Sequence, residues 1–297
     1  MTGRDLPSAG ATDRAFALLQ ELLPQQLLSR GMHRLARSTG PRVRNAAIRL
    51  LLRAYPAIDM GEAAEPDPYR YPTFNAFFTR ALKAGVRPIA PGADALVSPV
   101  DGSLSQLGDV DAGRLLQAKG IEYTAAALLG SESAAAQYAA GRYACIYLAP
   151  FDYHRIHMPT DARLRSTHYL PGRLFSVNAA TASTIPGLFG LNERVVCEFD
   201  TRHGALAVVL VGALFVGSIE TVYAGEINPP ASRGGTPRRI AAGEGREFRK
   251  GEELGRFNMG STVVLIWQRA AGEFAPGLAT GSRLRLGQLL AGMSTAP

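Results

Sequence analysis

The feature that most limits what this chain can fold into is a long series of short apolar segments cut by Gly, Asp and Pro turns. It runs from about Val97 to about Trp267. Such spacing specifies a β-rich core rather than a helical bundle. One hairpin is explicit. "ERVVCEFD" puts Val195, Cys197 and Phe199 on one face, "TRHG" reverses the chain, and "ALAVVLV" returns. The longest apolar run, "LAVVLVGALFVG" at Leu206–Gly217, has 12 residues. That is too short to cross a bilayer and reads as core strand. "SPVDGSLSQLG", Ser98–Gly108, reads as an Asp-Gly hairpin turn at Asp101. "NPPASRGGTPRRIAAGEG", Asn228–Gly245, reads as a long exposed loop.

The first 60 residues have a different character. Residues 14–28, "RAFALLQELLPQQLL", are helix-like through Phe16, Leu19, Leu22 and Leu23, with Pro24 kinking or ending the helix. Arg30–Arg53 holds seven arginines and no acid. Within it Val43, Ala47, Leu50, Leu51 and Ala54 share one helical face, flanked by Arg42, Arg49 and Arg53. Such a helix suits an anionic membrane surface, or it packs on a core as an ordinary solvated helix. Residues 61–95 read as a connector with short helices and the aromatic cluster "FNAFF". The expected fold class is α+β. A β-rich core of antiparallel or mixed sheets spans 61–297, and an N-terminal amphipathic helical, membrane-binding segment spans 1–60.

With 297 residues, 46% of them hydrophobic and 19% charged, the chain can bury a substantial core, and global disorder is excluded. Net charge is +7, and only Lys83, Lys119 and Lys250 among the basic residues are lysines. Arginine favours phosphate and carboxylate partners, although a biased genome produces the same composition. Cys145 and Cys197 lie in apolar strand-like runs and make no disulfide framework. No zinc-ligand spacing is present and no metal is expected. "MTGRDLPSAGATDR" carries acids and a proline without a following apolar stretch, so no secretory signal is read.

Candidate chemistry gathers at three places. "RFNMGSTVVLIW", Arg256–Trp267, puts Gly260-Ser261 at the mouth of a strand. "APFDYHRIHMP" supplies Asp152, His154 and His157. On a straight strand the two histidines, three apart, face different surroundings. A serine hydroxyl needs a base to take its proton, an imidazole suits that task, and a carboxylate such as Asp101 can orient the imidazole. The order Asp, His, Ser decides nothing, because the same constellation occurs in several orders on unrelated folds. Ser261 is not set in a G-x-S-x-G elbow, which disfavours an ordinary serine hydrolase.

The chain resembles the bacterial, short-chain type of phosphatidylserine decarboxylase. The stretches that carry the resemblance are "YPTFNAFFTRALKAGVRPI", "SPVDGSLSQLG", "LLQAKGIEYT", "FDYHRIHMP", "YLPGRLFSVN", "NERVVCEFDT", "VGALFVGSIETV" and "KGEELGRFNMGSTV". The family's processing motif is usually Leu-Gly-Ser-Thr, and here Met259 stands for the leucine, an apolar swap of similar size. The resemblance implies that Ser261 attacks the Gly260 carbonyl, that elimination releases the upstream chain, and that hydrolysis leaves a pyruvoyl group at residue 261. Residues 1–260 (the beta chain) and 261–297 (the alpha chain) are then expected to stay together as a heterodimer, with further oligomerisation left open. It also implies His157 as base for the cut, oriented by Asp101, and His154 as proton donor in decarboxylation. Asp152 and Ser176 are expected in supporting roles. The covalent pyruvoyl group is the implied cofactor, joined to substrate through a Schiff base. Phosphatidylserine is the implied substrate, and the anionic surface of the cell membrane, met peripherally from the cytoplasmic face, the implied partner. No nucleic acid is expected. Three alternatives compete: a triad-type lipid hydrolase with intact Ser261, a non-catalytic membrane-binding β-module, and a pyruvoyl decarboxylase of a soluble amino acid.

Overall fold

A computed structural model describes residues 19–20, 23–117, 120–215, 218–229, 235–268 and 273–292. Most of the expected 14–28 helix lies outside these. Pro24 stands at the cap of helix α1 (Gln25–Ala36), as its fixed φ allows. Helix α2 (Pro41–Ala54) starts on Pro41, and α3 (Phe74–Phe78) is capped by the Thr73 hydroxyl, which accepts the Ala76 N–H. No helix among the described residues is long and apolar enough to cross a membrane.

The strands follow in chain order as β1 (Ala95–Val97), β2 (Gly102–Asp109), β3 (Arg114–Leu116), β4 (Glu122–Thr124), β5 (Arg142–Leu148), β6 (Arg155–His157), β7 (Ala162–Leu170), β8 (Arg194–Thr201) and β9 (Gly204–Gly212). They continue as β10 (Ile219–Thr221), β11 (Gly225–Glu226), β12 (Arg238–Arg239), β13 (Glu247–Phe248), β14 (Glu253–Phe257), β15 (Ser261–Trp267), β16 (Arg283–Leu284) and β17 (Leu289–Gly292). The large sheet has the order β12-β7-β8-β9-β15-β5-β2-β16, with β13 also on β7. A second sheet has the order β11-β10-β14-β6, and β1–β17 and β3–β4 form two ribbons. The predicted hairpin is β8–β9, closed at Thr201 and Gly204. Alternation along β15 sends Val263, Leu265 and Trp267 into one core cluster and Val264 and Ile266 into another. The molecule is thus an α+β fold on an antiparallel, β-rich core.

Three local expectations change. The Asp-Gly step at Asp101 turns no hairpin, because β1 pairs with β17 while β2 pairs with β5 and β16. Gly102 is needed for close approach instead: a Cβ there would sit 2.6 Å from the Tyr147 carbonyl oxygen. The 228–245 stretch is not all loop, since β12 pairs Arg238 with Tyr169. The expected apolar face of α2 is divided. Ala47 and Leu51 pack inward beside the fully buried Ile48, while Val43 and Leu50 are exposed.

Candidate active site

Strands β14 and β15 are consecutive in the chain but belong to different sheets, so residues 258–260 carry the crossing. The turn is held tightly on one side. Asn258 donates its N–H to the Ser218 carbonyl (2.9 Å) and its side-chain amide to Ser218 Oγ (2.8 Å), and accepts from Asn75 (2.9 Å). Ser218 Oγ donates to Glu226, which also accepts from Arg37 (2.6 Å) and contacts His33 (3.1 Å), both on or beside α1. Met259 packs on the cluster of Ala36, Ile48, Phe74, Phe77 and Phe78. Its φ of 95° lies where non-glycine residues rarely go, a strain on the order of 1–3 kcal/mol. The strain falls on Met259 rather than on the glycine that follows it, and the space beside Gly260 is open.

Ser261 opens β15, paired with Leu148 of β5 and Gly212 of β9. It is buried, and neither its hydroxyl nor that of Thr262 has a hydrogen-bond partner. Buried polar atoms are normally satisfied, so two adjacent unpartnered hydroxyls at the start of β15 depart from the usual pattern. Gly212 also carries the link to Ser176. Asn192 donates to the Gly212 and Phe175 carbonyls (both 2.9 Å) and accepts from the Phe175 N–H (3.1 Å). Ser176 N–H in turn donates to Gln20 (2.7 Å), and Leu174 N–H donates to Gln25 (2.9 Å). The N-terminal helices therefore touch the loop beside the site as well as the turn.

His154 closes the other side. Its carbonyl accepts the Phe257 N–H (3.0 Å), and it lies six residues past Leu148. The ring is fully buried and stacks on Phe78, with centroids 4.1 Å apart. Neither ring nitrogen has a partner of good geometry, though the Ala149 and Pro150 carbonyls lie close enough to act on the ring. Burial, then the Arg80 guanidinium, pushes its pKa down to about 3. The ring is a neutral imidazole at pH 7.

His157 faces elsewhere, as the spacing of three predicts. Its Nδ1 contacts the Gly251 carbonyl (2.8 Å) and its Nε2 the Tyr153 hydroxyl (3.2 Å). Burial lowers its pKa, while Asp101 acts on it only through space. The Asp101 carboxylate is occupied by Arg87 (2.7–3.1 Å) and by the Leu286 N–H (2.8 Å). Asp101, His157 and Ser261 are not joined by hydrogen bonds in this uncut chain. Asp152 accepts the Ala149 N–H (2.8 Å) and both terminal nitrogens of Arg283, holding the loop that carries His154. Sequence reasoning missed Asn258, Ser218, Glu226 and Arg80. No local pattern marks them, because each acts through a partner far away in the chain. Among the described residues no group of three or more His, Cys, Asp or Glu is placed to hold a metal ion.

Fold and site together define an antiparallel α+β chain whose candidate nucleophile is sealed inside its own central strand. The family model described as phosphatidylserine decarboxylase matches residues 74–292, and a second, described as PSD, matches 15–56. The chain is 50% identical over 283 residues to the phosphatidylserine decarboxylase proenzyme of Acidovorax ebreus, covering 94% of this chain and 98% of that protein. It is 47% identical over 286 residues to that of Azotobacter vinelandii, covering 94% and 98%. For the Nitrosococcus oceani proenzyme the figures are 50% over 285 residues, covering 96% and 93%. The chain belongs to the phosphatidylserine decarboxylase family and is an enzyme of that class.

Proposed function

We propose that the chain cuts itself between Gly260 and Ser261 and then converts phosphatidylserine to phosphatidylethanolamine and carbon dioxide. The observation that carries this reading is the buried, unpartnered Ser261 hydroxyl beside the strained Met259. Ser261 Oγ attacks the Gly260 carbonyl carbon. A C–O bond forms, the C–N bond breaks, and the hydroxyl proton passes through an imidazole to the departing amine. His157 is the proposed base, with Asp101 supporting it through space. Loss of the residue 261 Cα proton then expels the Gly260 carboxylate, and water replaces the nitrogen as ammonia. The residues present fit the resulting pyruvoyl group, since no side chain competes for the hydroxyl and the flanking space is open at Gly260. When formed, its carbonyl supplies the electron sink for carbon dioxide loss.

His154 then holds one N–H on its neutral ring to protonate the substrate carbon, and the Phe78 stack orients it. Ser176 is proposed to meet the head group from the loop tied to Gly212. Asp152 and Asp101 also help retain the cut fragment, through Arg283 and the Leu286 N–H. The surface for lipid is proposed on α1 and α2, where Leu27, Leu35, Val43 and Leu50 are exposed among exposed Arg30, Arg34, Arg42, Arg49 and Arg53. The protein is proposed to act peripherally at the cytoplasmic face of the cell membrane, as a heterodimer of its two fragments.

Mass analysis under denaturing conditions tests the reading. Active protein should give fragments 1–260 and 261–297, the smaller blocked to Edman sequencing and reactive to carbonyl reagents. An intact single chain in active protein sinks it. A lipid hydrolase using the intact serine would instead release acyl chain or head group and give no carbonyl.

A further inference from the structure

A cavity of about 450 Å³ opens beside the site, lined among others by Arg80, Arg87, Asp101, Asp152, Arg283 and Arg285. Its charges are unequally committed. Arg87 is bound to Glu62 and Asp101 (both 2.7 Å), Arg283 to Asp152, and Arg285 stands 3.8 Å from Glu62. Arg80 has no such partner. It is 4% exposed, yet its Nε and Nη1 are buried without a hydrogen bond, and its closest aromatic support is the Phe77 ring at 5.7 Å. Its Nη2 is outside that sealed set. A buried guanidinium left unpaired is costly, and native proteins normally match it with an anion. Asp101 and Glu62 act on Arg80 only through space, and Arg80 in turn acts on the His154 ring. An anionic group entering this cavity would therefore find Arg80 without a competing carboxylate in hydrogen-bond contact.

We infer that Arg80 is a substrate-binding residue whose guanidinium receives the phosphodiester of the lipid head group. This rests on the decarboxylase reading above. Two anions are present on such a substrate, and the chemistry separates them. The carboxylate loses its charge as carbon dioxide leaves, so a guanidinium paired to it would stabilise the ground state more than the transition state and slow the reaction. The phosphodiester keeps its charge throughout, and arginine binds it with planar, charge-assisted hydrogen bonds. Anchoring the unreactive part of the substrate holds the amine and carboxylate at residue 261 without opposing the chemistry.

The test starts from full-length Ser261→Ala, which cannot cut itself, so its outcome does not depend on how residue 261 matures. Glycerophosphoethanolamine carries the phosphodiester without carboxylate or acyl chains; free serine carries the carboxylate without phosphate. Binding of each is followed by NMR line broadening. Adding Arg80→Gln should weaken glycerophosphoethanolamine at least about tenfold and leave serine unchanged. Equal binding of glycerophosphoethanolamine with and without Arg80, or a loss confined to serine, overturns the proposal. If the glutamine variant does not fold, Arg80→Lys decides, since it keeps the charge but not the planar fork and should bind less tightly than the parent. In chain with native Ser261, Arg80→Gln should still be cut and should raise KM for phosphatidylserine about tenfold, with kcat within about threefold. A fall in kcat with KM unchanged speaks against the assignment.

Discussion

From Val263 to Trp267, β15 is paired along both edges, with β5 and β9, and buried on both faces. The residues just before carry the irregularities, although Ser261 and Thr262 share the same strand pairing. Met259 sits at an unfavourable φ, and the Ser261 and Thr262 hydroxyls are buried without partners. The contrast shows how one short segment can serve two needs. The strand ties the chain after Gly260 into the core, and β16 and β17 add pairings to β2 and β1. The turn is anchored through Asn258 yet carries the strained Met259, and under the proposed reading it is here that the peptide bond breaks.

The strongest way to break that contrast is Ser261→Ala. It should abolish fragments 1–260 and 261–297 and all decarboxylation, while the melting temperature changes little, because the strand pairings remain. A large drop in stability would mean the hydroxyl is structural after all.

The two histidines sharpen it next. His157→Ala should slow cutting by about 10²–10⁴-fold, the usual worth of a general base. His154→Ala should still yield two fragments but lose decarboxylation by a similar factor. Failure of His154→Ala to cut, timed on denaturing gels, would move the base to the histidine nearer the turn.

The polar chain from α1 to Asn258 gives a smaller effect. Glu226→Gln keeps the shape but removes the charge that Arg37 and His33 contact. Cutting should slow by about tenfold and stability fall by about 1–2 kcal/mol, consistent with losing charge-assisted hydrogen bonds. Unchanged cutting would show that the helices only cover the turn and do not set it.

The last test is of stability across pH. The folded His154 has a pKa lowered from 6.5 to about 3, so below pH 6.5 the unfolded chain binds a proton that the folded chain refuses. Its contribution is full above about pH 6.5 and is lost as pH falls toward 3. His157 adds in the same direction. Melting temperatures of Ser261→Ala across this range should decline toward acid, and His154→Gln should decline less steeply. Parallel curves would show that His154 is not the buried neutral group responsible.

Much of the core was legible because its signals are local. The β8–β9 hairpin, the face of Val195, Cys197 and Phe199, and the strand after Ser261 each come from neighbouring residues whose period alone selects a strand. The Asp101 turn misled because Asp-Gly reports a tight local bend but says nothing of the Tyr147 carbonyl that requires the glycine. The N-terminal helices were legible, but not what they touch. Their arginines and exposed leucines were readable, but Gln20, Gln25 and Arg37 reach residues 174, 176 and 226.

Sequence alone determined the β-rich core, the family, and the Gly-Ser step before a buried strand, since each is written in contiguous residues. Tertiary structure alone decided that the strain sits on Met259, that His154 is sealed and neutral against Phe78, and that Arg80 lacks an anion. Those properties depend on how far water is excluded and on partners tens of residues away, and no stretch of chain records its own solvent.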